Sequence, residues 1–179
     1  MLVSYCTAVV QSAKAQTTRP NIVIILTDDM VYHSLSINTN DPLIQTPNID
    51  RIGEEGADIK YYCTNSLCVP GRASLLSGKY GHTTGAVNNA NYPPDSLVTL
   101  PKILHAKGYH TALIGKWMMG NWNPKPEFDY WLASHNQTTY YNDSCNYSWV
   151  HIPVNEHMTD FETDSALALI SRIDTPFLF

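Results

Sequence analysis

The sequence predicts an α/β fold, a mostly parallel sheet flanked by helices, on three observations. Residues 21–27 (NIVIILT) form an apolar, largely β-branched run without alternation, which is typical of a strand covered on both faces of a parallel sheet. Helical patterns that begin near proline and end near glycine alternate with such runs along the chain. The 179 residues, 44% hydrophobic and 15% charged, suffice for one domain and exclude a disordered chain.

Four helices are predicted from capping signals and periodicity. Pro70 fits the first turn of the second helix and Gly78 fits its end, while Lys107 and Gly108 close the third. The fourth carries Asp160 in its first turn and most of its apolar residues on one face. The predicted helices span residues 46–52, 70–77, 100–106 and 159–173.

Three further strands are predicted besides the first run, over residues 57–62, 109–114 and 176–179. The chain between these elements lacks a clear period. Residues 81–96 are therefore interpreted as a polar loop, and the aromatic-rich residues 118–158 as irregular structure.

Charge and cysteine content exclude several classes of protein. The net charge of −5, without clustered Lys or Arg, argues against nucleic-acid binding. No apolar run reaches the roughly 18 residues of a membrane span. Four cysteines are too few for a disulfide scaffold of this length, although one bridge such as Cys63–Cys145 remains open.

Two features predict export to an extracellular, periplasmic or lysosomal compartment. Residues 1–15 resemble a signal peptide, because residues 2–10 are mostly apolar and residues 13–15 (AKA) have the small-x-small form of a cleavage site; the missing basic n-region is typical of a truncated signal peptide. The alternative is an unstructured N-terminus. Three glycosylation sequons also begin at Asn136, Asn142 and Asn146.

Two adjacent carboxylates, Asp28 and Asp29, follow the first predicted strand. The carboxyl ends of parallel strands are where ligands bind in such sheets. Adjacent carboxylates repel each other unless a cation holds them, and oxygen ligands suit a hard ion such as Ca²⁺ or Mg²⁺. A polar turn that caps a helix is the other interpretation.

A cysteine precedes the predicted helix 70–77. At Cys68 the helix N-terminus would stabilise a thiolate, and Arg72 lies one turn further on. A structural cysteine beside a helix-starting proline remains an alternative. A third candidate, Lys116, follows the strand 109–114, where its ammonium group could hold an anion.

Taken in order, these segments resemble the sulfatase family. The resemblance is carried by residues 19–29 (RPNIVIILTDD), 68–80 (CVPGRASLLSGKY) and 115–117 (GKW), and extends through residues 158–179. It implies the fold of the alkaline phosphatase superfamily, incomplete at the C-terminus. Residues 16–179 would then be the N-terminal portion of a sulfatase catalytic domain.

The resemblance also implies a set of site residues. Cys68 corresponds to the cysteine that a formylglycine-generating enzyme oxidises to formylglycine, the nucleophile. Asp28 and Asp29 correspond to ligands of a Ca²⁺ ion (Mg²⁺ is the alternative) that also binds residue 68. Arg72 would hold the hydrated aldehyde, and Lys116 would contact the sulfate. The implied substrates are sulfated carbohydrates or aryl sulfates.

Two positions differ from the commonest family pattern: Gly71 stands where Ser is commonest, and Met118 where His is frequent. Other functions stay open at this point. The chain could be a non-catalytic fragment or a binding module that retains part of a sulfate pocket. A phosphatase or phosphodiesterase of the same superfamily is disfavoured, because its nucleophile would be Ser or Thr.

Overall fold

A five-stranded sheet organises the computed structural model, which describes residues 19–134 and 139–179. Its spatial order is β4-β3-β2-β1-β5. The strands are β1 (His110–Lys116), β2 (Tyr130–Ser134), β3 (Asp143–Tyr147), β4 (Val150–Val154) and β5 (Phe177–Leu178).

The sheet has a parallel half and an antiparallel half. Strand β1 pairs in parallel with β2 on one side and with β5 on the other. Strands β2, β3 and β4 form an antiparallel ladder. The predicted strands 109–114 and 176–179 are confirmed as β1 and β5, and the α/β class with helices on the sheet is confirmed as well.

The described residues include five α-helices: α1 (Pro47–Glu55), α2 (Cys68–Ser77), α3 (Gly81–Thr84), α4 (Leu100–His105) and α5 (Met158–Ile170). All four predicted helices are confirmed. Helix α2 begins two residues earlier than predicted, so Cys68 lies in its first turn. Gly78 ends it in the left-handed conformation, at φ 65°, which favours glycine.

Helices α2 and α5 cover opposite faces of the sheet. On the α2 face, Val69 and Ala73 pack with Trp131 and Ala133 of β2. On the α5 face, Leu132 of β2 belongs to a second cluster with partners from β3, β4 and the start of α5: Cys145, Val154 and Met158. The alternation along β2 thus divides the core into two layers.

Several predictions in the remaining chain are wrong. Residues 21–27 lie at the sheet edge, beyond β5, and their side chains are largely exposed rather than covered on both faces. Residues 57–62 form no strand, because they pair with no strand among the described residues. The loop 81–96 contains α3, and residues 118–158 contain β2, β3 and β4.

The cysteine and sequon predictions also change. Cys63 is exposed and Cys145 is buried, and both are free thiols, so the Cys63–Cys145 bridge is wrong. Asn146 is buried and its amide donates to the carbonyl of Trp122, which leaves no room for a glycan, whereas Asn142 is exposed. Residues 1–15 and the Asn136 sequon lie outside the described residues.

No helix in residues 19–134 and 139–179 has both the length and the apolar character needed to cross a membrane.

Candidate active site at the carboxyl edge of the sheet

Parallel pairing brings Asp28 and Lys116 to the same edge of the sheet. Segment 22–24 lies beside the chain's last residues, where the Ile22 amide donates to the Phe177 carbonyl at 2.8 Å. Strand β5 in turn pairs in parallel with β1. Because parallel strands end at one edge, Asp28 and Lys116 emerge there together.

The first turn of α2 reaches the same edge and carries Cys68 and Arg72. The helix begins without a side-chain cap from Leu67. Instead, the backbone amide of Val69 donates to Oδ1 of Asn89 at 3.1 Å. This bond satisfies one of the amides left unpaired at the start of any α-helix. Asn89 therefore helps to fix the helix turn that holds the cysteine.

Four side chains meet at this edge: Asp28, Cys68, Arg72 and Lys116. The carboxylate of Asp28 accepts a hydrogen bond from the Lys116 ammonium. Its other oxygen lies 3.7 Å from Nη2 of Arg72 and 3.8 Å from Sγ of Cys68. The Lys116 ammonium is also 3.8 Å from that sulfur. Four of the five sequence-predicted site residues thus form one cluster, and Asp29 makes no hydrogen bond or ion pair with them.

A hydrogen bond between backbone and side chain locks the cluster to the sheet. Nη1 of Arg72 donates to the carbonyl oxygen of Lys116 at 2.7 Å. The side chains of Lys116 and Arg72 are 11% and 14% exposed, whereas that of Asp28 is 42% exposed. The two cations are therefore largely desolvated, and Asp28 faces the solvent side of the cluster.

The surroundings of Asp28 and Arg72 shift the pKa values of both groups. The hydrogen bond from Lys116, reinforced by the charges of Lys116 and Arg72, lowers the pKa of Asp28 below its usual value. Burial lowers the pKa of Arg72, and the nearby Asp28 carboxylate partly opposes that effect. Two cations against one carboxylate leave a positive site, which suits an anionic ligand.

The backbone beside the cluster adopts rare conformations. Asp29 and Met118 have φ values of 55° and 52°, in the left-handed region that non-glycine residues seldom occupy. Gly115 has φ 107°. Such conformations concentrate at functional sites, where the surrounding structure imposes them.

Gly115 also reverses the alternation of β1. Leu113 packs on the α2 face and Ile114 on the α5 face, so strict alternation would direct position 116 toward α5. A Cβ placed on Gly115 would instead lie 3.5 Å from Oε2 of Glu162 on α5. The ammonium of Lys116 is accordingly found beside Cys68 of α2.

Sequence analysis missed two residues that support the site. Asn89 lies in a segment that the sequence presents only as a polar loop, and no signal marks it as a helix cap. Glu162, on the α5 face beneath Gly115, bonds to Ser134, and its burial raises the pKa of its carboxyl group. Its position in a clear helical pattern could have marked it as a carboxyl facing the sheet.

The described residues provide only part of the ligand set for the cation that the sequence implies. The carboxylate oxygens of Asp28 and Asp29 have the right chemistry for a hard cation. The carboxylate of Asp29 makes no hydrogen bond or ion pair within the described ranges. Those ranges contain no group of three or more His, Cys, Asp or Glu side chains placed to hold a metal ion. The donors fit such an ion by type but are too few, since Ca²⁺ takes about 6–8 oxygens.

Comparison with known proteins identifies the family. The sequence profile of the Sulfatase family matches residues 20–179, nearly the whole chain. The chain belongs to the sulfatase family.

Two relatives show how similar this chain is to known sulfatases. The chain is 37% identical over 166 residues to an N-acetylglucosamine-6-O-sulfatase of Bacteroides thetaiotaomicron, matching 90% of this chain and 29% of that protein. It is 38% identical over 135 residues to the N-acetylgalactosamine-6-sulfatase of Mus musculus, matching 65% of this chain and 26% of that protein.

A solved structure has a similar fold. It is a protein in complex with its substrate D-glucosamine-2-N,6-O-disulfate, with a TM-score of 0.81 and 36% identity, matching 90% of this chain and 33% of that one. The fold is therefore the alkaline phosphatase-like fold of sulfatases. The chain spans about a third or less of the length of these relatives.

Proposed function

We propose that the protein hydrolyses sulfate esters of carbohydrates at the cluster around Cys68. The observation that carries this proposal is the contact of Cys68 with both Asp28 and Lys116, each at 3.8 Å, inside a site with two desolvated cations. A cysteine nucleophile precursor, a helix N-terminus and two cations suit the transfer of an anionic group.

Each residue of the cluster has a role in this proposal. Oxidised to formylglycine and hydrated, residue 68 would attack sulfur with one hydroxyl oxygen while the S–O bond to the sugar breaks and the sugar leaves as an alcohol. Loss of the proton from the second hydroxyl would then restore the aldehyde, break the C–O bond to the sulfate and release sulfate. Lys116 binds a sulfate oxygen, because its ammonium group lies next to residue 68 and is largely shielded from water. Arg72 and Lys116 offset the negative charge that builds on the oxygens in the transition state.

Asp28 serves two purposes in the proposal. Its carboxylate orients Lys116 through their hydrogen bond, and, being partly exposed, it would also be a ligand of a cation. Ca²⁺, or alternatively Mg²⁺, would act as a Lewis acid on the ester when bound. Asp28 and Asp29 would supply two of its ligands, and the remaining ligands would come from outside the described residues.

The substrate class follows from the relatives. Both curated relatives described above are named as 6-sulfatases of N-acetylhexosamines. We therefore propose a carbohydrate bearing a 6-sulfated N-acetylhexosamine as the substrate. Residues 16–179 would be the N-terminal portion of the catalytic domain, residues 1–15 an export signal, and a formylglycine-generating enzyme the partner that activates Cys68.

A sulfate-release assay tests this proposal. The enzyme that carries this chain is produced with a formylglycine-generating enzyme and given an aryl sulfate and N-acetylglucosamine 6-sulfate. We expect Cys68→Ala to abolish release, and Lys116→Met to lower kcat by about 10²–10³, as when a transition-state donor is lost. Cys63→Ala and Lys79→Met are the matched controls, since both residues lie outside the cluster.

Other outcomes would favour the alternatives. Binding of both sulfated compounds without turnover, unchanged by Cys68→Ala, would identify a binding module. Release of phosphate from an aryl phosphate, with no release of sulfate, would identify a phosphatase. Either result would overturn the proposed hydrolysis of sulfate esters.

A further inference from the structure

A carboxyl group lies next to the candidate site, on the opposite face of the sheet. Glu162 belongs to the second turn of α5 and is half-buried. A Cβ placed on Gly115 would lie 3.5 Å from Oε2, 3.6 Å from Cδ and 3.7 Å from Oε1 of Glu162. The whole carboxyl group therefore faces the backbone of the residue that directly precedes Lys116. The reaction proposed above gives this carboxyl group no role.

Buried groups of two further strands surround the Glu162 carboxyl. Ser134 of β2, the register partner of Lys116, is 2% exposed and donates a hydrogen bond to this carboxyl group. Cys145 of β3 lies opposite Ser134 and is fully buried. Burial raises the pKa of Glu162, and the hydrogen bond from Ser134 partly opposes that effect. A charge in such surroundings is screened less than a charge in water.

The Glu162 carboxyl has no cation beside it. Among the described residues, no Lys, Arg or His forms an ion pair with Glu162. The titratable groups of β3 on this side, Cys145 and Asp143, are acidic. Burial and then the charges of Glu162 and Asp143 raise the pKa of Cys145 to about 12. The nearest carboxylates on α5 itself, Asp160 and Asp164, are exposed. A negative charge on Glu162 is therefore not offset by a neighbouring cation of the described chain.

The protonation of Glu162 changes the charge around the Cys68 cluster, which consists of Asp28, Cys68, Arg72 and Lys116. With Glu162 neutral, two cations face one carboxylate. Ionised Glu162 adds a second negative charge on the other face of the strand that carries Lys116. The two cations are then balanced by two carboxylates, and the attraction of an anion to the cluster is weaker.

We propose that Glu162 acts on the Cys68 cluster through Gly115 and Lys116: its neutral form favours anion binding there, and its ionised form weakens it. Anion binding is therefore strongest at acidic pH. The proposal rests on the proposed function for the assignment of anion binding to this cluster. Glu162 touches no reacting atom, so it is a positioning residue and not a catalytic one.

The pH range of the effect follows from the two carboxyl groups. Because burial raises the pKa of Glu162, its proton is lost above the usual value of 4.5. Asp28 stays ionised there, because the hydrogen bond from Lys116 holds its pKa below 3.8. Inorganic sulfate is doubly charged throughout this range. Neither the probe nor Asp28 therefore changes its charge while Glu162 titrates.

Calorimetric titration of the full chain with inorganic sulfate, at pH 4.5 and at successively higher pH, tests the proposal. We expect the Kd of the wild type to rise about fivefold as Glu162 ionises, the order expected of one partly screened charge. Glu162→Gln, which keeps the shape of the side chain, should remove this rise. Asp164→Asn removes an exposed carboxylate from the same helix and should retain it.

A second variant and a second measurement follow the same group. Ser134→Ala removes the hydrogen bond that favours the ionised carboxylate, so the fivefold rise should move to higher pH. In NMR spectra, the backbone amide signal of Lys116 should titrate together with Glu162 in the wild type and stay constant in Glu162→Gln. If that signal does not follow Glu162, or if Glu162→Gln keeps the fivefold rise, the proposal is wrong.

The outcomes separate this role of Glu162 from the proposed function. Sulfate binding that weakens with pH in the wild type alone, without release of sulfate from any ester, would support the role of Glu162 and refute the proposed function. Turnover of sulfate esters, with the same pH dependence of sulfate binding in the wild type and in Glu162→Gln, would do the reverse. Absence of sulfate binding at every pH would overturn both.

Discussion

Apolar side chains are exposed in one region of the molecule and buried in another. In the N-terminal region, residues 19–67, no residue is buried, although it includes the NIVIILT run and α1. In the packed region, residues 69–134 and 139–179, the two clusters on either face of the sheet contain fully buried side chains such as Val69 and Trp131. Burial therefore depends on which segments share the sheet, and apolar composition alone does not determine it.

The candidate site joins these two regions. Cys68, Arg72 and Lys116 are fixed by the packed region through α2 and β1. Asp28 belongs to the N-terminal region, whose pairing with the end of the chain includes bonds from Ile24 to Phe179 at 2.8 Å and from Phe179 to Ile22 at 2.9 Å. Packing thus positions three members of the cluster, and backbone hydrogen bonds position the fourth.

The largest expected difference between the regions is in stability after truncation of one side chain. Trp131 is 1% exposed, contacts Trp117 at 5.2 Å between ring centroids and donates to the Trp122 carbonyl at 3.0 Å. We expect Trp131→Ala to lower the free energy of unfolding by about 3–5 kcal/mol. Ile25→Ala, at a residue that is 79% exposed, should change it by less than about 0.5 kcal/mol. Urea denaturation compares the two variants, and similar effects would contradict the contrast between the regions.

A second comparison uses one glycine from each region. Gly115→Ala places a side chain at φ 107° against Glu162. We expect it to lower the free energy of unfolding by about 1–3 kcal/mol. Activity should fall as well, because Lys116 would be displaced. Gly53→Ala lies inside α1, where a Cβ would lie 3.2 Å from Cδ1 at the end of the Ile37 side chain and 3.6 Å from Cβ of Asp58. It should be neutral or stabilising by up to about 1 kcal/mol. Thermal unfolding measures both, and an unaffected Gly115→Ala would show that its φ does not direct Lys116.

The buried carboxyl group of Glu162 should make the stability of the packed region depend on pH. Because burial raises its pKa in the folded state, its contribution to stability is complete below the usual value of 4.5 and is lost as the pH rises through the folded value. Glu162→Gln should therefore gain stability over the wild type as the pH rises above 4.5. Tm measured across that range tests this, with Asp164→Asn, at an exposed residue of the same helix, as the control.

The smallest expected effect is at Asp28. Its lowered pKa gives a contribution that is present above the usual value of 3.8 and is lost as the pH falls through the lower folded value. Asp28→Asn should reduce the loss of unfolding free energy at acidic pH by less than about 1 kcal/mol, because the side chain is partly exposed. Asp29→Asn is the control, because the Asp29 carboxylate makes no hydrogen bond or ion pair within the described residues. Equal effects of the two variants on acid unfolding would argue against a specific Asp28–Lys116 pair.

The proximity of the candidate residues could be predicted better than the sheet, while their roles remain a proposal. Cys68 and Arg72 lie at the start of α2 and Lys116 ends β1, so elements with clear local patterns position three of them. Asp28 follows a run that forms no regular strand, and its place beside Lys116 depends on the pairing of residues 22–24 with the end of the chain. The strands β3 and β4 could not be predicted, because Asp143, Ser144 and Pro153 disfavour strands and only pairing with neighbours stabilises them there. The strand predicted over residues 57–62 is wrong for the opposite reason, because this segment has a strand-like sequence but no strand partner in the described chain.

Peptide mass spectrometry of protein from its native source tests the central claim most directly. Trypsin releases the peptide of residues 61–72, which contains Cys68 and ends at Arg72. The proposed sulfatase chemistry predicts that residue 68 is formylglycine in this peptide and that Cys63 in the same peptide remains an unmodified thiol. A peptide in which Cys68 is an unmodified cysteine throughout the active protein would contradict it.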